Sequence, residues 1–199
     1  MTTTRTLCGA LSAILQVRGV ERHAARLVRD GYLPRSGEEV DERDATILLL
    51  AVAAAPHPDQ ATEVVETLSS LNLRFLSQAV ALVVTVQCGD DDRALMPGNV
   101  VDAVAEALEY EACTCTPGFQ ITRLSIQQGG QNATLDAHIH LPGEMRSYCA
   151  QYGDIDLFPS GLQTITVVSD TILRAVAAIL QPDQAQRHQQ ELMPSLAIN

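Results

Sequence analysis

The sequence of 199 residues has no lysine: all thirteen of its basic side chains are arginines, set against twenty-four acidic residues for a formal charge of -11. Every permanent positive charge it presents is therefore a planar guanidinium. A GC-rich coding sequence produces the same bias, so the bias alone carries no functional weight. No apolar run reaches 18 residues, which excludes a membrane-spanning helix, and no basic N-terminal stretch leads into a long apolar core, which argues against a signal peptide. A cytoplasmic protein with no membrane partner is expected. Cysteine is sparse, odd in number and scattered (Cys8, Cys88, Cys113, Cys115, Cys149), which fits reduced thiols in a cytosol better than a disulfide framework. The Asn132-Ala133-Thr134 sequon then has no role. Also missing are a glycine-rich phosphate loop, a Gly-x-Ser-x-Gly elbow and a His-Glu-x-x-His pair. Neither an enzyme nor a cofactor is expected, and no small-molecule substrate is evident.

What is present is 46% hydrophobic content, enough to build real cores, in a length that allows one large domain or two small ones. The charge is unevenly placed. Residues 1–35 carry Arg5, Arg18, Arg22, Arg26, Arg29 and Arg35 against Glu21 and Asp30, a balance of +4 that leaves -15 for the rest of the chain. A basic head that meets a polyanion and an acidic body that stays away from it would account for the contrast.

Helical spacing of Leu7, Leu11, Ile14 and Leu15, interrupted by Gly19, predicts a first helix of about three turns. A second begins near Val20 and ends by Asp30, with Gly31 as its C-terminal cap and Leu33 kept out of the helical region by Pro34. A third runs from Asp41, its cap, to Ala55, and Pro56-His57-Pro58 closes it at the best domain boundary in the chain. From Ala61 the apolar positions Val64, Leu68, Leu71, Phe75, Ala79 and Val83 step by three or four, predicting one long helix or two broken near Asn72, although Ala79–Val86 also fits a buried strand. Asp90-Asp91-Asp92 marks a solvated turn and Val100–Leu108 a further helix. Ile121, Leu124 and Ile126 then lead into Gln128-Gly129-Gly130-Gln131, after which Leu135, Ala137, Ile139 and Leu141 alternate with polar residues. This is a β-hairpin with one wet face. A third strand at Gln163–Val168 runs into a helix at Asp170–Leu180 capped by Ser169 or Asp170, and Pro182 ends it before a Gln-rich tail. The expected fold class is α+β: a helical head at 1–58, an α+β body with a small antiparallel sheet at 61–182 and a flexible tail at 183–199.

In the second helix Val20, Ala24 and Leu27 share one face, while Arg22, Arg26 and Arg29 share another lying roughly 200° away. A short helix with an outward arginine stripe, following a first helix and a Gly-containing turn, has the parts of a recognition helix for the major groove of DNA. The guanidinium fork can donate two hydrogen bonds to phosphate oxygens or to the guanine edge. The competing reading is an ordinary amphipathic helix with a basic wet face. Arg18 in the turn, Arg35 beyond the helix and the acidic body favour nucleic-acid contact.

The stretch "GVERHAARLVRDGYLPRSG" resembles the second helix and following turn of winged helix-turn-helix heads of the MerR and phage-excisionase type, in which a Gly-aromatic or Gly-Leu step precedes Leu-Pro and a short wing. The resemblance covers roughly 35 residues and is loose in motif. It implies that Arg22 and Arg26 face the groove with His23 beside them, and that Arg35 lies on the wing near a phosphate. Two features depart from the pattern: the wing region carries Glu38, Glu39, Asp41, Glu42 and Asp44, and no long dimerisation helix with effector cysteines follows. A head of this kind joined to a small α+β body also resembles phage- and prophage-encoded DNA-binding proteins.

Cys113 and Cys115 with His138 and His140 have the wrong spacing for structural zinc, and Asp90-Asp91-Asp92 lacks the remainder of a calcium loop, so no metal is expected. The apolar helix carrying Val64, Leu68, Leu71 and Phe75 has no obvious monomeric cover and is expected to drive homo-oligomerisation. The reading that follows is a non-enzymatic protein that binds double-stranded DNA through Arg18, Arg22, His23, Arg26, Arg29 and Arg35, a phage or prophage transcriptional regulator acting in the host cytoplasm. Its rivals are a packaging component of the terminase small-subunit kind, and an acidic protein-binding module or host-factor inhibitor.

Overall fold

The computed structural model describes residues 2–81, 84–87, 95–113, 118–141, 143–153 and 164–180. The fold is α+β. Three helices come first: α1 (Thr4–Leu15), α2 (Val20–Arg29) and α3 (Glu42–Ala54). A 3-10 turn at Pro58–Gln60 leads to α4 (Ala61–Ser70), and then come β1 (Leu73–Ala81), β2 (Val84–Gln87) and α5 (Val100–Cys113). The chain continues as β3 (Gly118–Gln127), β4 (Asn132–Leu141), β5 (Glu144–Gly153), β6 (Ile165–Ser169) and α6 (Asp170–Leu180). The strands form one sheet in the order β2-β1-β5-β4-β3-β6, with every neighbouring pair antiparallel.

α3 is the centre of the molecule. It starts at a reciprocal capping box, with the Asp44 backbone N–H donating to the Asp41 carboxylate at 2.8 Å and the Asp41 N–H donating to Asp44 at 3.2 Å. Residues 45–51 are then buried without a break, as a helix that is apolar all round must be. It packs on α2 and α4 on one side and on α5, α6, β3 and β6 on the other. The sheet offers these helices an apolar face: along β4, Ala133, Leu135, Ala137 and Ile139 are buried while Thr134, Asp136, His138 and His140 are half-exposed on the reverse. On β3 the buried positions skip from Ile121 to Leu124. A bulge between Ile121 and Arg123 adds one residue and returns Leu124 and Ile126 to the core side.

The hairpin β3–β4 and the helices 100–113 and 170–180 lie where the sequence places them. The segment after Ala61 does not continue as a helix. α4 stops at Ser70, where the Ser69 and Ser70 hydroxyls donate back to the Val65 and Thr67 carbonyls and Leu71 turns extended. Beyond it Leu71, Leu73 and Phe75 alternate with Asn72 and Arg74, a period of two that overrides the coincidental spacing of three and four. Within Ala79–Val86, residues 79–81 fall on β1 and 84–86 on β2, the strand alternative, while 82 and 83 lie outside the described residues. β5 was not foreseen. Asp90-Asp91-Asp92 and the tail 183–199 lie outside the described residues.

Pro56–Pro58 ends α3 but does not divide the core. One cluster of buried side chains runs from Leu7 through Leu48, Leu68 and Leu108 to Ala177, and the Thr2 hydroxyl donates to the Ile179 carbonyl at 2.7 Å. The apolar face of α4 is likewise covered from within the chain. Val64 and Leu68 pack against the β3–β4 turn at Gly130, and Leu71 packs against Gly153. Phe75 is half-buried in β1 rather than on a helix. These residues therefore form core, and the reason for assigning them to oligomerisation, the lack of cover, does not hold.

Two glycines at positive φ separate strain from crowding. Gly129 (φ +87) has open space where a Cβ would go, whereas a Cβ on Gly153 (φ +81) would lie 2.7 Å from the Gln131 carbonyl oxygen and 2.9 Å from Leu71. Gly129→Ala should cost about 1 kcal/mol from the left-handed backbone alone, and Gly153→Ala on the order of 2–4 kcal/mol because the crowding adds to it. Urea unfolding of the two variants checks the difference, and equal costs would contradict the packing. Leu68→Ala should lower stability by about 2–5 kcal/mol without altering the sedimenting mass.

Candidate nucleic-acid interface

α1 and α2 are joined by the four residues Gln16–Gly19, with Gln16 (φ 54) and Gly19 (φ 89) in the left-handed region at either end of the turn. This is the turn length and chemistry of a helix-turn-helix corner. Leu7 and Leu11 of α1 and Val20, Ala24 and Leu27 of α2 are buried, so the two helices seal their apolar faces and leave the arginine side of α2 outward. Arg22 and Arg29 are exposed on α2, Arg18 projects from the turn, and Arg5 projects from the first turn of α1. The Thr4 hydroxyl donates to the Pro34 carbonyl at 3.3 Å, bringing the Arg5 and Arg35 ends of the head together.

The arginines are not equivalent. Among the described residues no carboxylate pairs with Arg5, Arg18, Arg22 or Arg35, whereas Arg43 bonds Asp102, Arg146 bonds Glu144 and Arg174 bonds Glu111 and Asp170. Arg26 and Arg29 share Asp30: Arg26 Nε donates to Oδ2 at 2.6 Å and Arg29 Nε to Oδ1 at 3.3 Å. Arg26, expected to face the groove beside Arg22, is thus held at the C-terminal end of its own helix. The Thr62 hydroxyl of α4 donates to the same Oδ2 at 2.6 Å. This hydroxyl, with Arg29 and Arg26, holds the Asp30 carboxyl below its usual range.

His23 has left the surface. It is buried, with Nδ1 3.2 Å from the Gly19 carbonyl oxygen and Nε2 3.4 Å from that of Ala55, so it ties α2 to the end of α3 rather than reading a groove. Arg35 lies on a single tight turn, not on a two-stranded wing. The Glu38 N–H donates to the Arg35 carbonyl at 3.0 Å, the Arg35 N–H donates to the Glu38 carboxylate at 2.9 Å, and Val40 N–H donates to the Thr2 carbonyl. Much of the acidity feared in this loop is engaged locally, Glu38 here and Asp41 with Asp44 in the capping box of α3.

The other titratable groups form no centre. Among the described residues no three His, Cys, Asp or Glu side chains converge as a metal site. His138 Nδ1 lies 2.9 Å from the Ser147 hydroxyl across the wet face, and His140 stacks on Tyr110 with ring centroids 5.8 Å apart. The side chains of Cys113 and Cys115 lie outside the described residues. A cleft of about 480 Å³ between α3 and α5 is acidic, lined by Asp41, Glu42, Asp102, Glu106 and Glu109, and offers a polyanion nothing. No helix among the described residues is long and apolar enough to cross a membrane. No family model, curated protein or solved structure matches the chain.

Asp30 and Thr62 are the residues of this surface that the sequence did not disclose as partners. Asp30 stands four residues after Arg26, the spacing of a helical ion pair, so half of the arrangement was available. Thr62 comes from a different helix and had no signal.

Cys8 sits under this surface. Its burial, and then the nearby Glu21 charge, push the thiol up to about 11, from an unfolded value near 9. The native thiol keeps its proton where the unfolded one ionises, so its contribution to stability is complete below pH 9 and is lost as the pH rises toward 11. A variant retaining Cys8 as its single cysteine should resist iodoacetamide at pH 7.5 on the timescale on which the denatured chain is labelled fully. Equal labelling rates would contradict the burial.

Proposed function

We propose that this chain is a non-enzymatic protein that binds double-stranded DNA through the outward face of its α1–turn–α2 unit. The observation that carries the reading is the set of four projecting arginines of the head that have no carboxylate partner among the described residues, in a chain with almost two acids for every arginine. In such a composition, charge pairing within the chain would consume exposed guanidinium groups wherever the geometry allowed it. Arg22 stands in the first turn of α2, the part of a recognition helix that reaches base edges, and Arg5, Arg18, Arg29 and Arg35 are the other exposed arginines of the head, available for phosphates. The resemblance of residues 19–37 to excisionase-type heads supports a regulatory role of phage or prophage kind. The acidic body repels the same polyanion, which favours one orientation of the chain on a duplex.

Binding to a random duplex, followed by fluorescence anisotropy, should weaken with salt at about 0.9 in log K per log salt for each phosphate contact. Arg22→Ala should cost on the order of 1–3 kcal/mol and relax sequence preference, while Arg35→Ala should weaken all sequences alike and flatten the slope by about 0.9. His23→Ala should act through stability, lowering the melting temperature by several degrees. Failure of the folded chain to retain any duplex at about 50 mM salt would end this reading.

A further inference from the structure

We propose that Asp30 is a positioning residue that withholds Arg26 and Arg29 from nucleic acid, so that the affinity of the head is set below what its number of guanidinium groups allows. The inference rests on the DNA-contact reading above. Both oxygens of the Asp30 carboxylate are occupied, Oδ1 by Arg29 and Oδ2 by Arg26 and the Thr62 hydroxyl. Its grip is graded. Arg26, bonded at 2.6 Å and 31% exposed, is held closely, and Arg29, at 3.3 Å and 64% exposed, loosely. To reach a phosphate either arginine must leave this carboxylate, and the phosphate must then approach an anion that both arginines have ceased to neutralise.

Helix stability does not explain the acid. Asp30 is the C-terminal cap of α2, where the helix macrodipole disfavours negative charge and where Arg26 and Arg29 would be favourable without it. Exposed ion pairs of this kind add little to folding. What the position does provide is reach: the Asp30 backbone N–H donates to the Arg26 carbonyl, fixing the residue at the helix end, and Thr62 fixes its side chain from α4. The docking of α4 on the head thus holds the carboxylate in place. The head presents Arg18 and Arg22 free, Arg29 partly free and Arg26 in reserve.

The test uses the full chain, a random 20-base-pair duplex as probe and anisotropy over a salt series. Asp30→Asn keeps an oxygen for Thr62 and removes the charge. It should tighten binding roughly three- to tenfold near 100 mM salt and steepen the slope by about 0.9 to about 1.8, one contact for each arginine released. In an Arg26→Ala, Arg29→Ala background the same change should leave affinity and slope where they were. Thr62→Val, which keeps the charge but loses its anchor, should give a smaller gain and serves as the second variant if Asp30→Asn lowers the melting temperature. Unchanged or weaker binding by both variants overturns the proposal, as does a gain that persists without the two arginines, since Asp30 would then act as a repelling charge and not through its partners. Absence of duplex binding by the wild type and by both variants defeats the DNA-contact reading and this inference with it. Absence of an effect in a wild type that does bind defeats the inference alone.

Discussion

The burial of α3 on every side is the constraint from which the rest of the structure follows. Residues 45–51 and Ala54 have no face that water can wet, so the chain must supply cover all the way round. α2 and α4 cannot do it alone, and the sheet with α5 and α6 supplies the remainder. The order of events along the chain then makes sense: a capped helix with a polar first turn and an almost wholly apolar remainder, followed by elements that wrap it. The projecting arginines are a by-product of the same arrangement. α2 turns Val20, Ala24 and Leu27 inward, and its arginines have nowhere to go but out.

Electrostatics gives the surface its asymmetry. The acidic residues near the head are mostly committed, Asp41 and Asp44 to a helix start, Glu38 to the tight turn and Asp30 to two arginines and a threonine. The acidic cleft between α3 and α5 is bridged by the Arg43–Asp102 pair at 2.6 Å. What remains outward on α1, the turn and α2 is positive on balance, Arg5, Arg18, Arg22 and Arg29 against Glu21, while the whole chain is strongly negative. The charge of the molecule is therefore unevenly distributed between head and body.

Legibility followed the range of the interaction. Caps, turns and two-sided strands depend on neighbours in sequence, and so Asp41, Gly31, the Gln128–Gln131 turn and the alternation from Leu135 to Leu141 could be read directly. Ambiguity entered where two periods coexist, as in Leu68, Leu71 and Phe75, which fit a helix, against Leu71, Leu73 and Phe75, which fit a strand. The back-bonding serines settle the matter by ending α4. β5 was hidden because its outer half is polar, with Glu144 and Met145 exposed and its buried positions falling on Tyr148, Ala150 and Tyr152. At the candidate interface, the direction of the arginine stripe was legible from helix geometry, but the fates of His23 and Arg26 were not. Each is decided by an acceptor or a helix distant in sequence: Ala55 for His23, and for Arg26 an Asp30 fixed by Thr62.

The C-terminal end of α3 gives up two adjacent carbonyls in opposite directions: Ala54 accepts from Gly129 of the sheet hairpin at 2.9 Å, and Ala55 faces His23 of α2 at 3.4 Å. A chain joined this way is no cassette. A recombination crossover at residue 57 would deliver three helices of which the last, α3, has lost much of its cover, together with a sheet whose turn has lost its anchor. Lineages carrying this fold should exchange it whole, and the solvent-facing side of α2 can vary only by point changes.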